Sequence, residues 1–322
     1  MVQFHESSLM NHDGKMTRRD AAKIISASAA GLLWPIGSHG QTTSQGTAML
    51  TRAIPSSDEK LPVIGLGSWQ VFDIGDSELE RKPLEEVLAL FVKTGGRVID
   101  SSPMYGRAEE VIGEIAAKLG LRESLFFATK VWTTGKESGV ESMERSFARF
   151  KTKRIDLMQV HNLVDVGTQL DTMREWKTQG RIRYIGVTHY NSRAYSAVEK
   201  ILRSEALDFL QINYSIVERE AEQKLLPLAQ ERKVAVMVNR PLGGGGLMAK
   251  VRGKPLPAWA AEFDCQSWAQ FLLKWIIAHP AVTCVIPATG NVRHLEDDIR
   301  AGFGRLPDAK QREEMVKLIS SF

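Results

Sequence analysis

The fold is indicated most clearly by residues 155–188, which have the sequence IDLMQVHNLVDVGTQLDTMREWKTQGRIRYIGVT. This stretch predicts a strand at Ile155–His161, an amphipathic helix at Leu170–Thr178 and a second strand at Ile182–Thr188. Both strands are rich in apolar and β-branched residues, and Gly180 follows the helix before the second strand begins. Because parallel strands need a connection long enough to hold a helix, the stretch predicts two parallel strands joined by a helical crossover.

The same alternation of strand and helix extends outward in both directions. Further strands are predicted at Val63–Gly67, Arg97–Asp100, Leu125–Lys130, Phe209–Asn213, Val234–Asn239 and Val282–Pro287. Further helices are predicted at Pro83–Thr94, Glu109–Leu119, Gly139–Phe150, Arg193–Ser204, Glu220–Arg232, Ser267–Ala278 and Val292–Ala301. Eight strand–helix pairs in about 240 residues predict an α/β fold, a single-domain (β/α)8 TIM barrel over residues 48–322.

Two segments flank the repeating units. Leu50–Pro62 predicts an N-terminal β-hairpin that plugs the floor of the barrel, and Asp308–Ser320 predicts a terminal helix. The alternative architecture is an open doubly wound sheet, which would normally bind a dinucleotide through a GxGxxG motif after its first strand. No such motif occurs at that place, so the barrel is favoured.

Residues 1–47 differ in character from the rest of the chain. Arg18 and Arg19 precede the apolar stretch Ile24–Ile36, and small residues at Ser38 and Gly40 suit a cleavage site near residue 40. The pattern resembles a bacterial twin-arginine (Tat) export signal, which implies a partner in the Tat machinery and a periplasmic location. An N-terminal amphipathic helix or a membrane anchor is the alternative, and a chain that is not exported would be cytoplasmic.

Composition excludes several classes of protein. The net charge of the 322-residue chain is only +4 at pH 7, and no run of five Lys or Arg residues occurs, so we expect no nucleic-acid partner. Cys265 and Cys284 are the two cysteines, which is too few for a disulfide framework. Neither has a Cys or His partner at metal-binding spacing, so we expect no metal site.

A barrel places its active site at the carboxyl ends of the strands. Asp100 ends the second predicted strand, Tyr105 follows it by five residues, Lys130 ends the third strand and His161 ends the fourth. A lysine ammonium close to a phenol favours the phenolate and lowers the pKa of the tyrosine, and a carboxylate can balance the charge of a buried lysine. A histidine beside them can orient an incoming carbonyl oxygen. These residue types suit protonation of an oxyanion while a cofactor delivers hydride to carbon.

These residues lie in a motif of a known family. Asp100 and the nine residues that follow it, SSPMYGRAE at 101–109, resemble the signature of the aldo-keto reductases, and residues 65–69, 128–131 and 156–162 resemble their first, third and fourth strands. The resemblance implies an NADPH-dependent carbonyl reductase, with NADH possible, whose catalytic tetrad is Asp100, Tyr105, Lys130 and His161. The cofactor-binding residues that it implies are Gly67, Ser68, Asn162, Thr188, Gln211, Leu242, Gly243, Thr289 and Arg293.

Some positions depart from the family pattern. His189 stands where many members have Asn, and Asn239-Arg240 stands where many have Tyr-Ser. A planar guanidinium could stack on the nicotinamide in place of that tyrosine. At the last strand–helix junction Ala288 replaces a Lys or Gly that is often found at the 2′-phosphate, which leaves the cofactor preference open. The resemblance places the adenosine phosphate at this junction, where the free N–H groups of the following helix and Arg293 are expected to bind it.

Three tryptophans are candidates for the substrate pocket, namely Trp69, Trp132 and Trp259. Little chain follows the eighth helix, which predicts an open site with broad tolerance for small-molecule carbonyls, in a protein that we expect to be a monomer. Two other functions stay open. One is a dehydrogenase that mainly oxidises a polyol or sugar, and the other is a cofactor-binding sensor or subunit that catalyses nothing.

Overall fold

Residues 48–322 are the part of the chain that this computed structural model describes. Their strands are β1 (Thr51–Ala53), β2 (Lys60–Pro62), β3 (Leu66–Gly67), β4 (Val98–Asp100), β5 (Phe126–Val131), β6 (Ile155–His161), β7 (Ile182–His189), β8 (Phe209–Asn213), β9 (Ala235–Asn239) and β10 (Val282–Val285). Their α-helices are α1 (Glu78–Lys93), α2 (Ala108–Lys118), α3 (Lys136–Phe150), α4 (Val166–Thr178), α5 (Tyr195–Ser204), α6 (Leu225–Glu231), α7 (Gly246–Val251), α8 (Trp268–Ile277), α9 (Val292–Arg300) and α10 (Ala309–Ser320). The predicted export signal and cleavage site lie outside the described residues.

Strands β3 to β10 pair in chain order, and every pair is parallel. Bridges from Ile64 to Val285 and from Gly67 to Ala288 join the first strand of the series to the last, and the Gly65 amide donates to the Val285 carbonyl at 2.8 Å. An open sheet would leave both edges unpaired. The predicted (β/α)8 TIM barrel is therefore confirmed.

The strands bury both of their faces, as expected for parallel strands covered by helices. Alternate side chains point into the barrel, where Phe126, Tyr184 and Phe209 form part of an inner apolar cluster. The remaining apolar side chains of the strands pack against the helices in a second, outer cluster. The barrel interior is thus a packed core below the level of the polar strand ends.

The predicted N-terminal hairpin is confirmed. Strands β1 and β2 pair in antiparallel register, and Ile54 and Leu61 are fully buried in the inner cluster. Arg52 fixes the hairpin to the end of α8 by donating to the backbone carbonyls of Ile277 and His279. The hairpin covers the floor of the barrel, whereas the polar strand ends lie at the opposite rim.

Several predicted helix boundaries were wrong, and α3 and α4 begin three and four residues before their predicted starts. Helix α1 begins at Glu78, five residues before Pro83, which lies inside the helix. Pro83 cannot donate to the Leu79 carbonyl, but Leu79 is 85% exposed, so water can take the place of the missing hydrogen bond. The predicted helix Glu220–Arg232 is divided into a short 3₁₀ helix, Glu220–Gln223, and α6, because Lys224 has a non-helical backbone.

Within residues 48–322, no helix is both long enough and apolar enough to cross a bilayer. Within the same range, no group of three or more His, Cys, Asp or Glu side chains is placed to hold a metal ion.

Candidate active site

A buried ion pair lies at the centre of the barrel mouth. The Lys130 ammonium donates to Oδ2 of Asp100 and to the Ser101 carbonyl, both at 2.6 Å. The two side chains are 0% and 4% exposed. Burial disfavours the ammonium, but the adjacent Asp100 carboxylate and its hydrogen bond more than compensate and raise the pKa of Lys130. Lys130 therefore carries its positive charge in the physiological range.

Tyr105 lies against this ion pair. The Lys130 ammonium is 5.1 Å from the centroid of the Tyr105 ring, and the His161 ring centroid is 6.0 Å from it, edge to face. Burial raises the pKa of the Tyr105 phenol, and the charge of Lys130 offsets only part of that effect. The lowered pKa expected from the sequence is thus wrong in its net direction, because the cost of burying a phenolate exceeds the attraction of the ammonium.

His161 completes the group of four side chains. Burial, together with the positive charges of Lys130 and His189, lowers the pKa of His161 to about 3. The imidazole is therefore neutral at ordinary pH and carries one N–H. Its Nδ1 atom is 3.1 Å from Oγ of Ser102, a contact that sequence reasoning missed.

A network of amide side chains supports the ion pair from inside the barrel. Nε2 of Gln211 donates to Oδ1 of Asp100 at 2.8 Å, and Nε2 of Gln159 lies 3.3 Å from the same oxygen. Thr188 in turn donates to Oε1 of Gln211 at 3.0 Å. Gln159 was missed, although it stands two residues before His161 and so shares its inward face.

The first barrel loop supports the loop that carries Tyr105. Oδ1 of Asp73 accepts a hydrogen bond from the Arg107 amide at 2.9 Å. Gly106 has φ +58, and a Cβ there would lie 2.2 Å from Oδ1 of Asp73. Glycine is therefore required both by the backbone and by the close approach of the two loops. This contact holds the residue next to Tyr105 in place.

Free acceptors at the barrel mouth test whether a nicotinamide cofactor fits. Oδ1 of Asn162 and Oδ1 of Asn239 are buried and have no hydrogen-bond partner within residues 48–322. Unpaired buried acceptors are rare, and a carboxamide offers N–H donors of the kind they lack. Gln211, by contrast, already has partners on both sides of its amide. The residues present fit a nicotinamide, with the two asparagines as its free acceptors.

Other predicted cofactor residues lie at the carboxyl end of β3 and in the turn after β9. Gly67 is buried at the end of β3, where its amide donates to the Pro287 carbonyl at 2.8 Å. Ser68 donates to the Asp100 carbonyl at 2.8 Å. Leu242 and Gly243 begin the turn after β9, where Gly243, Gly244 and Gly245 all have positive φ. The absence of side chains on these glycines lets a phosphate group approach the backbone.

Arg240 lies just before this turn in the chain. Its nearest nitrogen would be 3.7 Å from a Cβ on Gly244, and Nε is buried without a hydrogen-bond partner within residues 48–322. The side chain thus lies beside the glycine turn. Stacking of the Arg240 guanidinium on the nicotinamide, which the sequence suggested, stays a prediction.

The start of α9 has fewer free N–H groups for an anion than the sequence indicated. Oδ1 of Asn291 accepts from the Arg293 and His294 amides at 2.9 and 3.4 Å. Thr289 is occupied as well, because its hydroxyl accepts from the Asn291 amide at 3.1 Å. The helix cap therefore takes amides that were expected to be free for phosphate. The exposed Arg293 side chain remains as the charge at this junction.

The three candidate pocket tryptophans have different surroundings. Trp69 and Trp132 follow strand ends and are 49% and 47% exposed, and the Trp132 ring centroid is 6.4 Å from that of His161. Trp259 instead packs against Phe263 and Phe271, with ring centroids 6.0 and 5.6 Å away. Trp259 is half-buried, so these contacts leave its place in the pocket a prediction.

Comparison with known proteins identifies the family of the chain. The model of the aldo/keto reductase family matches residues 63–317. The chain is similar to the methylglyoxal reductase YeaE of Escherichia coli, with 29% identity over 250 residues, which cover 76% of this chain and 86% of that protein. It is also similar to an NADP-dependent D-sorbitol-6-phosphate dehydrogenase of Malus domestica, with 25% identity over 286 residues, covering 76% and 86%.

A solved structure agrees with the sequence comparisons. The aldo-keto reductase of Klebsiella pneumoniae in complex with NADPH superposes with a TM-score of 0.71 at 25% identity. The match covers 84% of this chain and 96% of that one.

Proposed function

This chain belongs to the aldo/keto reductase family and is an NAD(P)-dependent oxidoreductase, and on that premise we propose that it reduces aldehydes or ketones to alcohols with NADPH, with Tyr105 as the general acid. The observation that carries the proposal is the meeting of four side chains at one end of the barrel. They are Asp100, Tyr105, Lys130 and His161.

The role of each of these four side chains follows from its chemistry. Bound NADPH supplies a hydride to the carbonyl carbon. Tyr105 then gives its phenolic proton to the carbonyl oxygen, and this transfer is downhill even from a phenol of raised pKa, because an alkoxide is far more basic than a phenolate. Lys130 stabilises the phenolate that forms, and Asp100 keeps Lys130 charged and in place. Neutral His161 donates an N–H to the carbonyl oxygen and orients it.

The electrostatics of Tyr105 favour reduction over the dehydrogenase alternative. A reductase needs the protonated phenol at the start of the reaction, whereas an alcohol dehydrogenase needs the phenolate as its base. Because burial raises the pKa of Tyr105, the protonated form dominates at neutral pH. The non-catalytic sensor is disfavoured by the intact group of four, which a cofactor-binding module does not require.

NADPH oxidation in the presence of carbonyl compounds tests the proposal. The panel includes methylglyoxal, the substrate in the name of the E. coli relative, and phenylglyoxal, whose ring suits the apolar surroundings of Trp69 and Trp132. We expect turnover, a loss of about 100-fold or more in kcat for Tyr105→Phe, and normal NADPH binding by that variant. Tyr184→Phe is the matched control, because it removes a hydrogen-bonded tyrosine hydroxyl at the floor of the barrel.

Each alternative has its own result. Polyol oxidation without carbonyl reduction would favour the dehydrogenase. Tight binding of NADPH by wild type and Tyr105→Phe, with no turnover by either, would favour the sensor.

We also propose NADPH over NADH, with Arg293 contacting the 2′-phosphate. The support is the exposed guanidinium beside a helix start whose amides are already capped. Arg293→Ala should weaken NADPH binding about tenfold in a fluorescence titration and leave NADH binding unchanged. An equal loss for both cofactors would contradict this assignment.

Export through the Tat pathway remains a proposal that rests on the sequence of residues 1–47 alone. Arg18→Lys/Arg19→Lys should keep the protein in the cytoplasm, where it should still bind NADPH. An equal periplasmic yield of variant and wild type in a fractionation experiment would contradict the proposal.

A further inference from the structure

Ser102 lies beside the imidazole that orients the substrate. Its hydroxyl is fully buried, as is most of His161, and Oγ lies 3.1 Å from Nδ1 of the ring. The Met104 amide donates to the same hydroxyl oxygen at 3.4 Å. The hydroxyl is therefore placed between a backbone donor and a ring nitrogen.

Counting donors and acceptors assigns the direction of the contact. A neutral imidazole has one N–H and one bare nitrogen, and a serine hydroxyl has one hydrogen and two lone pairs. If Nδ1 carried the proton, the Ser102 oxygen would accept from both Nδ1 and Met104, and its own hydrogen would have no acceptor within residues 48–322. If Ser102 donates to Nδ1, every one of these groups is satisfied, which buried polar groups require.

We propose that Ser102 donates to Nδ1 of His161 and so holds the ring in the tautomer whose proton is on Nε2, available to a carbonyl oxygen. The inference deepens the proposed function and rests on it for the role of His161. Ser102 is a positioning residue, because it acts through the imidazole and not on the substrate. No hydrogen bond within residues 48–322 occupies Nε2, which leaves that atom free to donate.

The tautomer can be observed without any turnover. In protein labelled with ¹⁵N in the histidine rings, the two ring nitrogens have distinct chemical shifts in each neutral tautomer, and His161→Asn identifies the signals of this ring. For the wild type we expect a single Nε2–H form that does not change between about pH 5.5 and pH 8, since His161 stays neutral there. A wild-type ring protonated on Nδ1 would overturn the proposal.

The variants separate positioning from packing. Ser102→Ala should populate the Nδ1–H form and lower kcat about threefold to tenfold, the effect of losing one hydrogen bond, with NADPH affinity unchanged. Ser102→Thr keeps the hydroxyl and should retain the wild-type tautomer. Ser101→Ala is the matched control for the tautomer, because its hydroxyl is equally buried but has no partner within residues 48–322.

The outcomes distinguish this inference from the proposed function. If Ser102→Ala keeps the Nε2–H tautomer and the wild-type kcat, Ser102 has no positioning role. If wild type reduces no carbonyl but shows the expected tautomers, the proposed function fails while the hydrogen-bond assignment stands.

Discussion

At the scale of single residues, the Asp100–Lys130 pair determines the electrostatics of the site. Neither charge is exposed to solvent, so each depends on the other. Lys130→Met leaves a buried carboxylate without its cation, and we expect a loss of about 3–5 kcal/mol of unfolding free energy. We also expect a loss of at least about 100-fold in kcat. Urea unfolding and steady-state kinetics measure the two effects.

The double variant Asp100→Asn/Lys130→Met is the control for this prediction. It removes both charges, so it should recover part of the lost stability and none of the activity. A double variant that is less stable than Lys130→Met would show that the two residues are not coupled as an ion pair.

The two proton-handling residues, Tyr105 and His161, predict an unusual pH profile for carbonyl reduction. Tyr105 must be protonated, and because its pKa is raised, activity should fall only as pH increases beyond about 10. His161 must be neutral, and because its pKa is about 3, no acid limb should occur near pH 6.5. We expect kcat/KM to be flat between about pH 5 and pH 9 for a substrate that does not itself ionise. A limb near the ordinary histidine pKa would contradict the burial of His161.

At the scale of structural elements, the loop between β4 and α2 determines where the Tyr105 hydroxyl lies. Gly106→Ala places a Cβ in a left-handed backbone conformation, and Asp73 already occupies the space. We expect a loss of about 1–2 kcal/mol of stability from the backbone alone, and a fall of about tenfold or more in kcat as the loop shifts. Thermal unfolding and kinetics with a saturating carbonyl substrate measure both.

Gly120→Ala is the matched control at the end of α2. Gly120 also has positive φ, but nothing lies within 4 Å of the position of its Cβ. This variant should lose similar stability and keep its kcat. If Gly106→Ala is as active as Gly120→Ala, the contact with Asp73 does not position Tyr105.

Strand ends, loops and helix starts differ in how well the sequence predicts their contribution to the site. The strand ends predicted Asp100, Lys130 and His161 correctly as neighbours, because parallel strands of a barrel end at one rim. Ser102 could not be found in this way, since its contact depends on the path of a loop that has no periodicity. At the start of α9, the sequence prediction overlooked Asn291. This strong N-cap residue accepts hydrogen bonds from the amides that an anion would need.

At the scale of the whole molecule, stability should depend on pH through one buried carboxyl group on α9. Burial, with a smaller contribution from the charge of Asp297, raises the pKa of Asp298 to about 7. The unfolded chain has the ordinary aspartate pKa of about 4. Between these two values the folded protein holds a proton that the unfolded chain has released.

The sign of the effect follows from this difference. The contribution of Asp298 to stability is fully present below about pH 4, falls as pH rises toward 7, and is absent above it. About three pKa units correspond to roughly 4 kcal/mol as an upper bound on the whole change in the free energy of unfolding.

Asp298→Asn cannot ionise, so in urea unfolding it should gain stability relative to wild type between about pH 5 and pH 8. Glu296→Gln, an exposed position on the same helix, should track wild type at every pH. If Asp298→Asn and wild type differ by a constant amount across this range, Asp298 does not titrate on unfolding, and another group must account for any loss of stability as the pH rises.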